Sequence, residues 1–324
     1  MVTDTGQQAD RTLEELVHVA KQVSAAVQTV ITGKPMAVRL ALTVLLAEGH
    51  ILIEDVPGVG KTQLAKALAR SIDCSVRRVQ FTPDLLPSDI TGVSAYNQEL
   101  RQFEFKPGPI FANVVLGDEI NRASPKTQSA LLESMEERQV TVDGTTYQLD
   151  RPFMVMATQN PVEMEGTYPL PEAQRDRFMA RIAIGYPDRA AELSMLDVHG
   201  SSSPLDELKP VAHASDVRAL VAAVREVHVS GSIRQYIIDL VNATRNAAEL
   251  RLGASPRAAL HLLRASRAHA ALDERDFVLP DDVQALAVPV LAHRLLPSAE
   301  AMVGRSLPDQ VLANLIRRLP LPSR

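Results

Sequence analysis

Ile51-Leu-Ile-Glu-Asp-Val-Pro-Gly-Val-Gly-Lys-Thr-Gln63 is the stretch that decides the fold. Ile51, Leu52 and Ile53 read as a short buried strand, 57–60 as a Gly-rich turn, and the residues from Lys61 to Ile72 as a helix. Strand, glycine turn and helix in that order, with Lys-Thr at the helix start, form a phosphate-binding arrangement. Gly58 and Gly60 let the main chain wrap closely around phosphate oxygens, and the helix N-terminus then faces the anion. Lys61 would reach the β- and γ-phosphates of a nucleoside triphosphate, and Thr62 would offer its hydroxyl to Mg²⁺. The nucleotide-binding stretch expected here is Asp55, Val56, Pro57, Gly58, Val59, Gly60, Lys61, Thr62 and Gln63. The general pattern has glycine where this chain has Asp55. A glycine turn ahead of an ordinary helix is the bland alternative, and the Lys-Thr pair weighs against it.

Working outward, the upstream residues 11–31 carry apolar positions at helical spacing, and a second helix opens at Pro35 and ends near Gly49. Downstream, Val76–Phe81, Val114–Leu116, Phe153–Ala157 and Arg181–Ile184 read as further strands. Ser124-Pro125 caps and opens a helix running through Glu137. The segment 139–149 reads as a hairpin around Asp143-Gly144. Strands alternating with helices imply a parallel sheet covered on both faces. After Pro187 the pattern changes to helices alone, at 188–198, 215–227, 232–248, 256–272, 280–293 and 308–318, with a loop at Gly200–Pro204. The expectation is an α/β domain over 1–187 and an all-helical domain over 188–324.

The length of 324 residues fits two domains at about 150 residues each. Hydrophobic residues make up 46% and charged residues 23%, which argues against disorder. With no tryptophan and 4% aromatics, Ala, Leu and Val must fill the core. The net charge of −5 gives no general attraction to nucleic acid. The single cysteine, Cys74, excludes an intramolecular disulfide and reads as a small core residue. No signal pattern and no membrane-length apolar run is seen, so a cytoplasmic protein without direct membrane insertion is expected.

Asp118-Glu119 ends an apolar strand. Alone, the pair would be a solvated strand end. Downstream of a phosphate loop, Asp118 is placed to hold Mg²⁺ and Glu119 to deprotonate an attacking water. Neighbouring strand residues point to opposite faces, so the strand must end here for both to serve. Asn160 follows a strand in Ala-Thr-Gln-Asn-Pro; an amide there could bond the γ-phosphate or the lytic water, but its residue-level reading favours a turn residue before Pro161. The eight histidines are scattered; His261 and His269 share a predicted helix face, and no carboxylate pattern completes a metal site around them.

Taken together, Glu54–Thr62, Gly117-Asp-Glu-Ile-Asn-Arg-Ala123, Ala157-Thr-Gln-Asn-Pro161, Leu170-Pro-Glu-Ala-Gln-Arg-Asp-Arg-Phe178 and Gly253-Ala-Ser-Pro-Arg257 resemble the MoxR-type AAA+ ATPases, in family order over about 200 residues. The resemblance implies a P-loop AAA+ domain with a five-stranded parallel sheet, followed by a helical lid. It makes Asp55 the expected residue and Asn160 the sensor-1 position. It further implies that Arg177 is an arginine finger offered to a neighbouring subunit's ATP, with Arg175 as the rival, and that Arg257 is sensor 2, reaching over ATP from the lid. Gly117 departs from the alanine associated with that spot, which would only weaken the strand slightly. The segment 82–112 would supply the insert after the second strand and 139–149 the insert before sensor 1. Such loops face a pore or substrate in related rings; edge strands packed on the core are the equal alternative.

The resemblance therefore implies ATP hydrolysis with Mg²⁺, catalysed by Lys61, Glu119, Asn160, Arg177 and Arg257, with ATP in the cleft between core and lid. It implies a homo-oligomer, most simply a hexameric ring, and chaperone-like work on a protein partner, of which a von Willebrand factor A-type domain is the typical example. Two other readings stand beside it: a nucleotide-switched scaffold, disfavoured by the intact Glu119, and a DNA-dependent motor, disfavoured by the acidic balance and the scarcity of stacking aromatics.

Overall fold

The structure is a computed structural model that describes residues 12–56, 58–160, 167–187, 189, 192–193, 204–304 and 307–322. Its centre is a five-stranded sheet built from β1 (Ile51–Glu54), β2 (Val76–Gln80), β5 (Val114–Asp118), β8 (Met154–Gln159) and β9 (Ala180–Ile182), in the order β2-β5-β8-β1-β9. Every pairing in it is parallel. Parallel strands need crossovers and bury both faces, and the apolar residues divide accordingly with period two. Ile51, Ile53, Val114, Leu116, Met154 and Met156 enter one apolar cluster, whereas Leu52, Val115, Val155 and Ala157 enter another on the opposite face.

The first face is covered by α1 (Leu13–Val30), α2 (Pro35–Leu46) and α3 (Lys61–Ser71), the second by α5 (Pro125–Glu137). Local chemistry sets the helix ends. Thr12 and Glu15 form a reciprocal capping box on α1, Pro35 occupies the first turn of α2, and Ser124 accepts from the Thr127 amide ahead of α5.

Two hairpins stand apart from this sheet: β3 (Gly92–Asn97) with β4 (Gln102–Pro107), preceded by α4 (Pro87–Thr91), and β6 (Gln139–Val142) with β7 (Thr145–Gln148). Neither adds an edge to the five-stranded sheet; the second nevertheless packs on the core, with Val140 buried in the same apolar cluster as Leu131 and Leu132 of α5. They touch each other through the Phe105 and Tyr147 rings, stacked at 4.0 Å.

A short helix, α6 (Glu172–Arg175), precedes β9; the lid then contains α7 (Pro204–Glu207), α8 (Ala214–Glu226), α9 (Gly231–Arg245), α10 (Pro256–Leu272), α11 (Pro280–Leu291), α12 (Ala299–Val303) and α13 (Pro308–Arg318). Its buried residues, such as Leu220, Leu240, Leu262 and Leu286, belong to the same apolar cluster as Val17 and Val38 of α1 and α2. Lid and core thus share one interior. The expected helix at 188–198 falls almost wholly outside the described residues, as does most of the expected loop at 200–204. One correction concerns strands: β10 (Leu250–Leu252) pairs antiparallel with β11 (Leu296–Pro297) where only helices were expected. Elements of three and two residues are too short to show an alternating pattern in sequence.

Candidate nucleotide site

The register of the sheet brings the expected residues to its C-terminal edge. Glu54 of β1 lies opposite Gln159 of β8, and Gly117 of β5 lies opposite Ala157 of β8. The phosphate loop, Asp118-Glu119 and Asn160 therefore leave the sheet side by side. Gly58 and Gly60 have φ of 84° and 91°, and the left-handed Gly60 caps α3. A side chain at either would meet no crowding, so glycine is required by backbone conformation rather than by space. Lys61 Nζ donates to the Asp55 carbonyl at 2.7 Å, and Thr62 stands in the first turn of α3. Pro57 and Pro161 lie outside the described residues.

Asp55 performs a different task from the one expected of a nucleotide-binding residue. It is buried, and its Oδ2 accepts from the amides of Ile184 and Gly185 at 2.6 Å each, while Oδ1 accepts from Val56 N at 2.8 Å. The carboxylate ties the start of the phosphate loop to the segment after β9, which explains an acid at that position.

Asp118 is buried at the end of β5, where its Oδ2 accepts from Arg78 Nε at 2.6 Å and its Oδ1 from the Thr158 hydroxyl at 3.2 Å. Glu119 adopts the left-handed conformation, φ 60° and ψ 49°. That turn ends the strand pleat and lets two consecutive acids serve one site. The Glu119 amide donates to Thr158 Oγ1 at 2.9 Å, and its carboxylate accepts from Gln80 Nε2 at 2.7 Å and pairs with Arg122 at 3.2 Å. Asn160 is buried just beyond β8. Sequence reasoning missed Arg78, Gln80 and Thr158. Their alternate positions on strands adjoining β5 could have found them once the strand order was known.

Gly117 has a reason of its own. A Cβ there would stand 2.9 Å from the fully buried Phe81 ring, so glycine makes room for Phe81 rather than merely weakening the strand.

The two predicted arginines gather elsewhere. Arg177 Nε lies 3.1 Å from Glu136 Oε2, and Arg257 pairs with the other oxygen of Glu136 and lies 3.9 Å from Asp176. Arg175, the rival, has a buried Nε with no hydrogen-bond partner among the described residues. Arg177 precedes β9 and Glu136 closes α5, so both stand at the N-terminal edge of the sheet, as does His50 before β1. This corrects the expectation that Arg257 covers the ATP of its own chain. Arg257 lines one cavity with Gly49 and His50, which precede β1, whereas the phosphate loop leaves the other end of that strand. Ser255 binds the two arginine segments together: its hydroxyl donates to Asp176 Oδ1 at 2.8 Å and accepts from Ala258 N at 3.1 Å.

Oxygen donors are the chemistry of the predicted metal site. A threonine hydroxyl and a buried carboxylate are hard ligands that suit Mg²⁺. Asp118 Oδ2 is engaged by the Arg78 guanidinium, so a cation at Asp118 would share that carboxylate with Arg78. Among the described residues, His269, Asp273 and Asp282 also converge, but Arg39 and Arg275 occupy the two carboxylates. No described helix is long and apolar enough to cross a membrane.

The fold has known relatives. The model of the ATPase family associated with various cellular activities (AAA) matches residues 50–180, and that of the AAA lid domain matches 242–313. The chain is 50% identical over 309 residues to the uncharacterized protein YeaC of Bacillus subtilis, covering 95% of this chain and 97% of that one. It is 40% identical over 315 residues to Chaperone MoxR1 of Mycobacterium tuberculosis, covering 94% and 83%. It is 34% identical over 333 residues to Protein MoxR of Paracoccus denitrificans, covering 94% and 96%. A crystal structure of a candidate ATPase from Cytophaga hutchinsonii superposes with a TM-score of 0.90 at 41% identity, over 96% of this chain and 97% of that one.

Proposed function

The chain belongs to the MoxR-type AAA+ ATPases, and from that premise we propose that it hydrolyses ATP to ADP and phosphate to drive chaperone-like remodelling or activation of a protein partner. The observation that carries this reading is Glu119, turned left-handed at the end of β5 and oriented by Gln80 and Thr158. A base held in a costly backbone conformation by neighbouring strands is positioned for chemistry.

In this reading the amides of residues 56–62 and the N-terminus of α3 surround the triphosphate, and Lys61 leaves the Asp55 carbonyl to reach the β- and γ-phosphates. Thr62 and Asp118 would hold Mg²⁺, which when bound neutralises charge on the phosphate oxygens. Glu119 takes a proton from the water that attacks the γ-phosphorus, and the bond to the ADP oxygen breaks. Asn160 orients that water or the γ-phosphate. Arg177 and Arg257 meet at the opposite edge of the sheet, so both serve the ATP of a neighbouring subunit, compensating charge that develops as the bond breaks. The working form is then an oligomer, most simply a hexameric ring, with the α/β core over 1–187 and the lid over 188–324. A partner bearing a von Willebrand factor A-type domain is the first to try.

The test compares ATP turnover of wild type with Glu119→Gln, with light scattering in ATP. Loss of turnover by about 10²-fold or more, with ATP still bound, is expected. Equal turnover in both proteins would remove Glu119 as the base.

A further inference from the structure

Arg294 is the only buried arginine among the described residues, and the chemistry proposed above does not use it. It closes a one-turn 3₁₀ helix, Ala292–Arg294, that follows α11 in the lid. Taking a guanidinium out of water is costly, and a buried ion pair seldom stabilises a fold more than apolar side chains of the same volume do. Lid and core already share an apolar interior, so adhesion alone does not call for a charge here. What a guanidinium supplies is direction, because its donors leave one plane in a fixed fork.

The fork is aimed at the segment that carries Arg177. Arg294 Nη1 donates to Asp176 Oδ1 at 2.8 Å, and Nη2 donates to the Phe178 carbonyl at 2.6 Å. These are the residues on either side of Arg177. Nη2 also donates to His261 Nδ1 at 2.6 Å, one turn along α10 from Arg257. His261 can accept because it is neutral, pushed down to about 2 by burial and by Arg294. Burial pulls Arg294 itself down to about 10 against the opposing effect of Asp176, so it stays a cation at neutral pH. Asp176 completes the frame: Ser255 donates to the same Oδ1, and Arg257 lies 3.9 Å from Oδ2. Glu136 pairs with the guanidinium of Arg177, and Arg294 holds the chain on both sides of it.

We propose that Arg294 is a positioning residue for the arginine finger: by fixing the chain around Arg177 against α10, it presents Arg177 and Arg257 to the neighbouring subunit's ATP as one unit. This rests on the reading that both arginines act between subunits. The effect of Arg294 is carried through Arg177, so it alters turnover at the neighbour's site and not its own chain's affinity for ATP. Lysine cannot stand in for it, because one ammonium does not span Asp176, Phe178 and His261 together.

The test measures steady-state ATP turnover of the full chain, with assembly in ATP followed by light scattering and folding by urea unfolding. Arg294→Lys keeps the charge and loses the fork. Its kcat is expected to fall about tenfold or more while KM for ATP stays within about twofold, the pattern of an interaction made only as the bond breaks. Asp176→Asn alters the other side of the pair, keeps an acceptor oxygen and should move kcat in the same direction. Mixed in equal amounts with Glu119→Gln before assembly, Arg294→Lys should regain about a quarter of wild-type turnover, since one chain brings the base and the other the ordered finger. Mixed with Arg177→Ala it should regain nothing, since neither chain brings an ordered finger. Damage to the variant's own ATP site gives the opposite pattern. Recovery with Arg177→Ala instead, an unchanged kcat, or a raised KM at unchanged kcat would overturn the proposal. The pair Arg177→Ala with Glu119→Gln is run beside these. If that pair recovers and Arg294→Lys with Glu119→Gln does not, the positioning role alone fails. If neither recovers, the reading between subunits fails and this proposal falls with it.

Discussion

Glu119 and Asp55 show how single residues pay different parts of the same site. Non-glycine residues in the left-handed region cost of order 1–3 kcal/mol when the surroundings impose it. At Glu119 the Thr158 hydroxyl, accepting from the amide, helps to hold that conformation. Asp55 spends its carboxylate on three backbone amides and none on solvent-facing chemistry. Asp55→Ala leaves the Ile184 and Gly185 amides without their acceptor, so unfolding free energy should fall by about 2 kcal/mol, and ATP affinity should fall with it as the phosphate loop loosens. Urea unfolding and nucleotide titration check both. Asp55→Asn keeps an acceptor oxygen and should lose less; if Asp55→Ala were as stable as wild type, the anchoring role would be wrong.

At the scale of elements, the phosphate loop, Asp118-Glu119 and the strand positions were legible because each rests on local chemistry: glycine with positive φ, an apolar run, an acid at a strand end. Residues whose role needs the strand order were not. Gln80 is an unremarked polar residue until β2 is set beside β5, and Thr158 becomes a bridge only when β5 and β8 pair. The same holds for Arg257, whose surroundings depend on where α10 packs and not on the motif around it. Ser255 is the joint of that arrangement. As N-cap of α10 it accepts from Ala258 N, and its proton goes to Asp176, next to Arg177. Ser255→Ala should cost about 1 kcal/mol of stability as a lost cap. Because the tie to Asp176 also goes, turnover should fall more than a 1 kcal/mol loss of folding would explain. Turnover unchanged at a temperature where the variant stays folded would show that the joint is only a cap.

At the scale of the whole molecule, two buried histidines and the partly buried His261 couple stability to pH. Burial holds His50 down to about 4, partly opposed by its bond to the Met135 carbonyl; burial and Arg294 hold His261 down to about 2 and His293 well below its ordinary 6.5. The unfolded chain takes up these protons near pH 6.5 while the folded chain refuses them. Stability is therefore full above that value and falls as pH drops towards 4, with a limiting slope of about 4 kcal/mol per pH unit for three protons. Urea midpoints at pH 7.5 and 5.5 measure it, and equal midpoints would contradict it. Assembly supplies the sharper test. Arg177 and Glu119 stand at opposite edges of one sheet, so a chain lacking one can still lend the other to a neighbour. Arg177→Ala and Glu119→Gln should each be nearly inactive alone. Mixed in equal amounts before assembly, a site is complete when a chain with intact Glu119 faces a neighbour with intact Arg177, which random mixing gives at about a quarter of interfaces. Recovery of about that share of wild-type turnover follows if the arginine acts between subunits. If it acted within its own chain, no mixture would contain a complete site, and the mixed sample would stay as inactive as its parts.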